Sequence, residues 1–112
     1  MNEVKVGGMT YSIETNEEVR NDDNELCYAT CDFQALTIDI MEGLPEQRYN
    51  QTLIHEIMHA VFDEAGLEDN EDMVNRLSLV WYQVLKENDF SFLKDKPKVM
   101  MQRSDGLMEE LE

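Results

Sequence analysis

Over roughly the first forty residues, apolar and polar side chains alternate with the period of two that is typical of β-strands. The alternation predicts four strands, at residues 3–6, 9–19, 26–32 and 34–40. Gly7-Gly8 is a two-residue turn signal, so the first two strands are predicted to form a hairpin. Asp32-Phe33 lies between the last two strands and is predicted to be a second hairpin turn.

From residue 45 onward the apolar residues recur every three or four positions, which predicts two helices. The first runs from Pro45, which suits a first helical position, to Gly66, which supplies a stop. The second covers about 71–88, with Asp69 or Asn70 as its N-cap. One apolar arc of the first helix is formed by Ile54, Ile57, Met58, Val61, Phe62 and Ala65.

Strands followed by a pair of helices predict an α+β fold, with a small, mostly antiparallel sheet packed against two helices. Residues 1–96 are expected to form a single domain. Residues 97–112 are expected to be a C-terminal tail that is partly disordered or forms a short helix. If the strand at 34–40 lies at the sheet edge, an extended peptide can add to it through main-chain hydrogen bonds.

The charge and the cysteine content of the chain limit the classes of function that are expected. The chain has 112 residues and a net charge of −16, which argues against binding to nucleic acid or to an anionic membrane surface. It has no signal peptide and no long apolar run, so a cytoplasmic setting is expected. Cys27 and Cys31 are expected to be buried and reduced, with a second Cys-x-x-x-Cys metal site as the less favoured alternative. The oligomeric state is left open.

The first predicted helix contains His-Glu-x-x-His, and its two histidines are the only ones in the chain. His55 and His59 are four residues apart, so they lie one helical turn apart on the same side and both can reach one cation. Neutral imidazole is a good ligand for zinc. Glu56 is rotated by about 100° from His55, which places it beside the metal as a general base for the attacking water.

A catalytic zinc site needs a third protein ligand, which is expected in the acidic segment around Gly66. Glu71 is the best candidate because it projects at the edge of the apolar face of the second helix, near Ser78. Glu68, in the turn, is the second candidate. The full set of acidic candidates is Glu64, Glu68, Asp69, Glu71 and Asp72.

Residues 51–60 resemble the active-site helix of the ImmA/IrrE-type metallopeptidases, and more closely that of small zincin-like proteins of bacteriophages and prophages. Residues 71–78 resemble the segment that opens with the third zinc ligand in those families, which maps onto Glu71. Residues 36–40 are similar to the strand that precedes their helix.

This resemblance implies a minimal zincin-like (gluzincin) domain in which one zinc ion per chain is held by His55, His59 and Glu71. Glu56 would be the catalytic residue, in a zinc-dependent endopeptidase that acts on a cytoplasmic protein or peptide. If the protein is phage-encoded, that setting is the host cytoplasm. The alternative is a phage-encoded acidic binding or inhibitor module with a structural or vestigial zinc site, which the short length and negative charge also fit.

Overall fold

The computed structural model describes residues 2–93, and within this range the α+β class is confirmed. A four-stranded mixed sheet is followed by two helices and one turn of 3-10 helix. None of the described helices is both long enough and apolar enough to cross a membrane. The predicted tail, 97–112, lies outside the described residues. The elements are β1 (Asn2–Val6), β2 (Met9–Asn16), β3 (Ala29–Asp32), β4 (Thr37–Met41), α1 (Glu46–Glu64), α2 (Glu71–Glu87) and the 3-10 turn Ser91–Leu93.

The strand order in the sheet is β1-β2-β4-β3. β1 and β2 form the predicted hairpin across Gly7-Gly8, with Val6 opposite Met9. β3 and β4 are also antiparallel, whereas β2 and β4 are parallel, so the sheet is mixed with two antiparallel pairings out of three. The condition set for residues 34–40, that they lie at the sheet edge, is not met, because β4 pairs with both β2 and β3. The edge strand on this side of the sheet is β3.

The third strand is shorter than predicted and begins at Ala29. Leu26 forms an isolated antiparallel bridge with Arg20, and the Cys27 N–H donates to the Val19 carbonyl at 2.9 Å. Through these bonds, the start of the predicted strand pairs with the preceding loop instead of with β4. The alternation of side chains does not distinguish such a local pairing from pairing with β4.

The turn between β3 and β4 is longer than the two residues predicted and covers Phe33–Leu36. The Asp32 side chain accepts hydrogen bonds from the backbone N–H groups of Gln34 and Ala35, each at 3.0 Å. Leu36 closes the turn with a φ of +56°, and β4 then begins at Thr37. The Asp32 carboxylate therefore organises a four-residue turn.

Helix α1 is buried on two sides, against the sheet and against α2. The single apolar arc predicted for it is therefore incomplete: Ala60 is fully buried although it lies outside that arc, and Val61, inside it, is 37% exposed. The sheet-side core contains the buried residues Val6, Tyr11, Ile38, Ile40 and Ala60. The core between the helices contains Met58, Phe62 and Val74.

The connection between the helices sets the position of α2. Gly66 has a φ of +73°, and the Leu67 N–H donates to the Phe62 carbonyl at 2.9 Å, which is the bond of a Schellman motif. Of the two predicted N-caps, Asn70 is the residue used, since its side chain accepts the N–H of Met73 at 3.1 Å. The chain therefore reverses at once, and α2 begins beside the C-terminal half of α1.

Candidate metal centre

His55 and His59 lie side by side on α1, as their spacing predicts. Their ring centroids are 4.9 Å apart, and their side chains are only 21% and 13% exposed. Burial lowers the pKa of His55 below its ordinary value, and the neighbouring Glu71 carboxylate opposes this shift. A neutral imidazole keeps a nitrogen lone pair free, which is the form that binds a metal ion.

The carboxylate of Glu71 contacts both imidazole rings. Its Oε2 lies 2.9 Å from His55 Nε2, and its Oε1 lies 3.1 Å from His59 Nε2. The three groups offer ligand atoms that all lie within 4.8 Å of one another, so they could hold a metal ion. Two ligands of one tetrahedral zinc ion are separated by roughly 3.3 Å, so small adjustments of these side chains would admit the ion.

Asp69 has a role that the sequence did not reveal. Its Oδ1 lies 2.9 Å from His59 Nδ1, on the opposite side of the ring from Glu71. A carboxylate there favours the tautomer with the proton on Nδ1, which leaves Nε2 directed at Glu71. The sequence placed Asp69 among the candidate ligands and as a possible helix cap. Neither Asp69 nor Glu68 belongs to the three-residue group found among the described residues.

Glu56 is one of the few buried charged residues in the described part of the chain, with 7% of its surface exposed. Burial raises the pKa of Glu56 well above its ordinary value, the carboxylates of Glu71 and Asp69 add to this shift, and His59 opposes it. A carboxylate with a raised pKa is a stronger base than a solvated one. Its position beside the histidines agrees with the sequence prediction.

The centre opens into a cleft between β3 and α2 that contains two hollows. The first, here called the Arg48 hollow, has a volume of about 370 Å³ and also contacts Tyr28 and Asn75. The second, here called the Asp22 hollow, has a volume of about 570 Å³ and extends past His59. Both reach the candidate centre. The residues that they share are Ala29, His55 and Glu56.

Cys27 and Cys31 are free, half-buried thiols that line the Asp22 hollow. Burial raises the pKa of Cys31 to about 12, with nearby carboxylates, first Glu56, adding to the shift. Burial also raises the pKa of Cys27. Both thiols are therefore protonated and weakly reactive near neutral pH. Among the described residues, the three-residue group that could hold a metal contains no cysteine.

Comparisons with protein-family models, with curated protein sequences and with solved structures find no match to this chain. The resemblance to zincin-like metallopeptidases therefore stays a prediction that depends on the residues of α1 and α2 themselves.

Proposed function

We propose that the chain is a zinc-dependent metallo-endopeptidase with a minimal zincin-like (gluzincin) domain and one zinc ion per chain. The observation that carries the proposal is the convergence of His55, His59 and Glu71 beside the buried Glu56, in a cleft open to solvent. The resemblance to ImmA/IrrE-type and phage zincin-like proteins supports a cytoplasmic protein or peptide as the substrate.

The donor set fits zinc. His55 and His59 would hold the ion through Nε2 and Glu71 through a carboxylate oxygen, and two histidines with one glutamate are a ligand set that catalytic zinc sites use. When bound, zinc supplies a Lewis acid that polarises a carbonyl group and lowers the pKa of water. Asp69 would hold the His59 ring in the orientation that binding requires.

Glu56 would act as the general base. It lines both hollows of the cleft, so it is within reach of a water molecule that attacks from either direction. Its carboxylate would accept the proton of the attacking water and then donate it to the leaving amine. Burial favours the first of these transfers, because a raised pKa makes the Glu56 carboxylate a stronger base.

The edge strand β3 would position the substrate. Ala29, its first residue, lines both hollows, and within residues 2–93 the strand pairs only with β4. The outer main-chain groups of an edge strand can pair with an extended peptide. A peptide paired with β3 would pass close to His55 and Glu56. The strand that serves this purpose is therefore β3, rather than the strand at 34–40.

The test compares Glu56→Gln with the wild type, both loaded with zinc, on a protein or peptide that the wild type cleaves. Glu56→Gln should retain zinc and lower kcat by about 10²–10⁴-fold, because the base is lost and the ligands remain. Glu46→Gln, an exposed change in the first turn of the same helix, is the matched control and should leave kcat unchanged.

Equal cleavage by Glu56→Gln and wild type would refute the peptidase proposal. A biological effect that survives Glu56→Gln but is lost in His55→Ala would support the alternative, an acidic binding module with a structural zinc site.

A further inference from the structure

Arg48 lies on the same stripe of α1 as both histidines. At about 100° per residue, Arg48, Thr52 and His55 project from one side of the helix. Arg48 precedes His55 by two turns, which corresponds to about 10 Å along the helix axis. Arg48, His55 and Glu56 accordingly line the same hollow.

In the part of the chain that the structure describes, no contact of Arg48 uses its hydrogen-bond donors. Its guanidinium carbon lies 5.8 Å from the centroid of the Tyr28 ring, at the range of a cation–π contact. A cation–π contact is not a hydrogen bond, so it leaves the guanidinium N–H groups able to bind a ligand. Within residues 2–93, Arg48 forms no salt bridge, whereas Arg20 and Arg76 are each paired with a carboxylate.

The two hollows differ in charge. Among residues 2–93, Arg48 and Glu56 are the charged side chains that line the Arg48 hollow, and the other polar residues, such as Gln51 and Asn75, are neutral. The Asp22 hollow contains Asp22, Asp69 and Glu71 in addition to Glu56. On a chain with a net charge of −16, a negatively charged ligand is repelled by most of the surface, so the Arg48 hollow is a distinct exception.

We propose that the Arg48 hollow is a carboxylate-binding subsite, and that Arg48 determines specificity for substrates that carry a carboxylate next to the reacting bond. This inference rests on the proposed function and names its substrate class. The carboxylate is either an acidic side chain or a free chain terminus. The planar guanidinium matches a carboxylate with two parallel hydrogen bonds. The acidic Asp22 hollow fixes the direction in which such a substrate lies.

A binding experiment tests the subsite without turnover. The probes are the monohydroxamates of succinic, glutaric and adipic acid, in which the hydroxamate binds the metal and the carboxylate reaches towards Arg48. Each is compared with the same molecule carrying a carboxamide in place of the carboxylate. Calorimetry gives the Kd values for zinc-loaded wild type, for Arg48→Gln and for Arg76→Gln. The last variant removes the same charge from an exposed position on α2.

For at least one chain length, wild type should bind the carboxylate probe about 10-fold more tightly than its carboxamide. Arg48→Gln should reduce this ratio to about one, and Arg76→Gln should leave it unchanged. A ratio near one in wild type, or an equal ratio in wild type and Arg48→Gln, would overturn the subsite. Failure of zinc-loaded wild type to bind any hydroxamate would overturn the metal centre and the subsite together.

Two sets of peptides separate the sources of the carboxylate. One set has amidated C-termini and an internal glutamate, and the other has free C-termini and no acidic residue. Cleavage beside the glutamate identifies a side chain, and release of the last residue from the second set identifies a terminal carboxylate. If neither set is cleaved while the binding ratio still depends on Arg48, the peptidase function fails and the subsite stands.

Discussion

The orientation of two imidazole rings decides whether this centre can bind a metal ion. His59 is held on one side by Asp69 at Nδ1 and faces Glu71 at Nε2. Both rings are largely buried, so their rotamers are restricted by packing as well as by hydrogen bonds. A preorganised ring loses less conformational entropy on binding the ion, which raises the affinity of the site.

We therefore expect Asp69→Ala to weaken zinc binding by about 10–100-fold, because the His59 ring loses the carboxylate that fixes its tautomer. Glu68→Ala is the control, since it removes a neighbouring exposed carboxylate that does not contact the centre. Competition with a zinc-sensitive dye gives both affinities. An affinity of Asp69→Ala equal to that of the control would contradict this role for Asp69.

For individual residues, the sequence predicted the part of the candidate site that depends on spacing along a helix. It did not predict the residues that reach the site only because of how the chain folds. His55, Glu56 and His59 follow from one helical turn, and Glu71 follows from its place at the start of α2. The part played by Asp69 depends on the Schellman turn that precedes it. The clustering of Arg48 with Tyr28 depends on the course of the chain before β3, which no local pattern specifies.

At the scale of elements, the β1-β2 hairpin is fixed to the C-terminal end of α1. The Tyr11 hydroxyl, on a fully buried side chain, donates to Glu64 Oε2 at 2.9 Å. Gly7, in the hairpin turn, lies so close that an added Cβ would be 2.9 Å from Glu64 Cβ. This contact supports the half of α1 that carries the histidines.

Tyr11→Phe should lower the free energy of unfolding by about 1 kcal/mol at pH 7, because one partly buried hydrogen bond is lost. Burial, with the Glu64 hydrogen bond, raises the pKa of Tyr11 above its ordinary value of 10.0. The folded state thus retains this proton to higher pH than the unfolded state. The resulting stability is complete below about pH 10 and is lost as the pH rises above it.

Urea unfolding at pH 7, 9 and 10.5 tests both effects. Wild type should lose stability more steeply above pH 10 than Tyr11→Phe does. Tyr82→Phe is the control for removing a tyrosine, because within residues 2–93 its hydroxyl on α2 accepts a hydrogen bond only from Lys86 Nζ, at 3.4 Å. Parallel curves for wild type and Tyr11→Phe at alkaline pH would count against a shifted Tyr11.

Gly7→Ala should lower the free energy of unfolding by about 1–3 kcal/mol more than Gly66→Ala. Both glycines have a positive φ, of +58° and +73°, so the backbone strain is similar, but nothing lies within 4 Å of a Cβ added at Gly66. The difference therefore measures the collision with Glu64. Equal losses for the two variants in thermal or urea unfolding would show that the hairpin does not pack closely on α1.

The elements were predictable to different degrees. Both helices were located to within about two residues, because caps and stops are local signals. The strands were found, but β3 and β4 were given starts three residues too early. Their order was not predictable, because the parallel pairing of β2 with β4 joins segments that are separated by a loop and by β3. For the same reason, the sequence could not show which strand lies at the edge of the sheet.

At the scale of the whole molecule, the protein is strongly acidic, and the two ends of its cleft carry different charges. The net charge of −16 is spread along the chain, yet the two hollows beside His55 and Glu56 differ in charge: Arg48 balances Glu56 in one, whereas four carboxylates line the other. Composition predicted repulsion of nucleic acid and anionic membranes. Composition gave no indication that the two hollows of the cleft differ in charge, because this difference depends on the packing of β3, α1 and α2.

The central claim is a zinc site built from His55, His59 and Glu71, and bound metal is its most direct measure. The protein would be purified without a histidine tag and its metal content determined by elemental mass spectrometry, beside His55→Ala and Glu71→Ala. We expect about one zinc ion per chain in wild type and a loss of zinc in both variants. Wild-type protein that binds no metal, even after zinc is supplied, would contradict the metal centre and the peptidase function proposed from it.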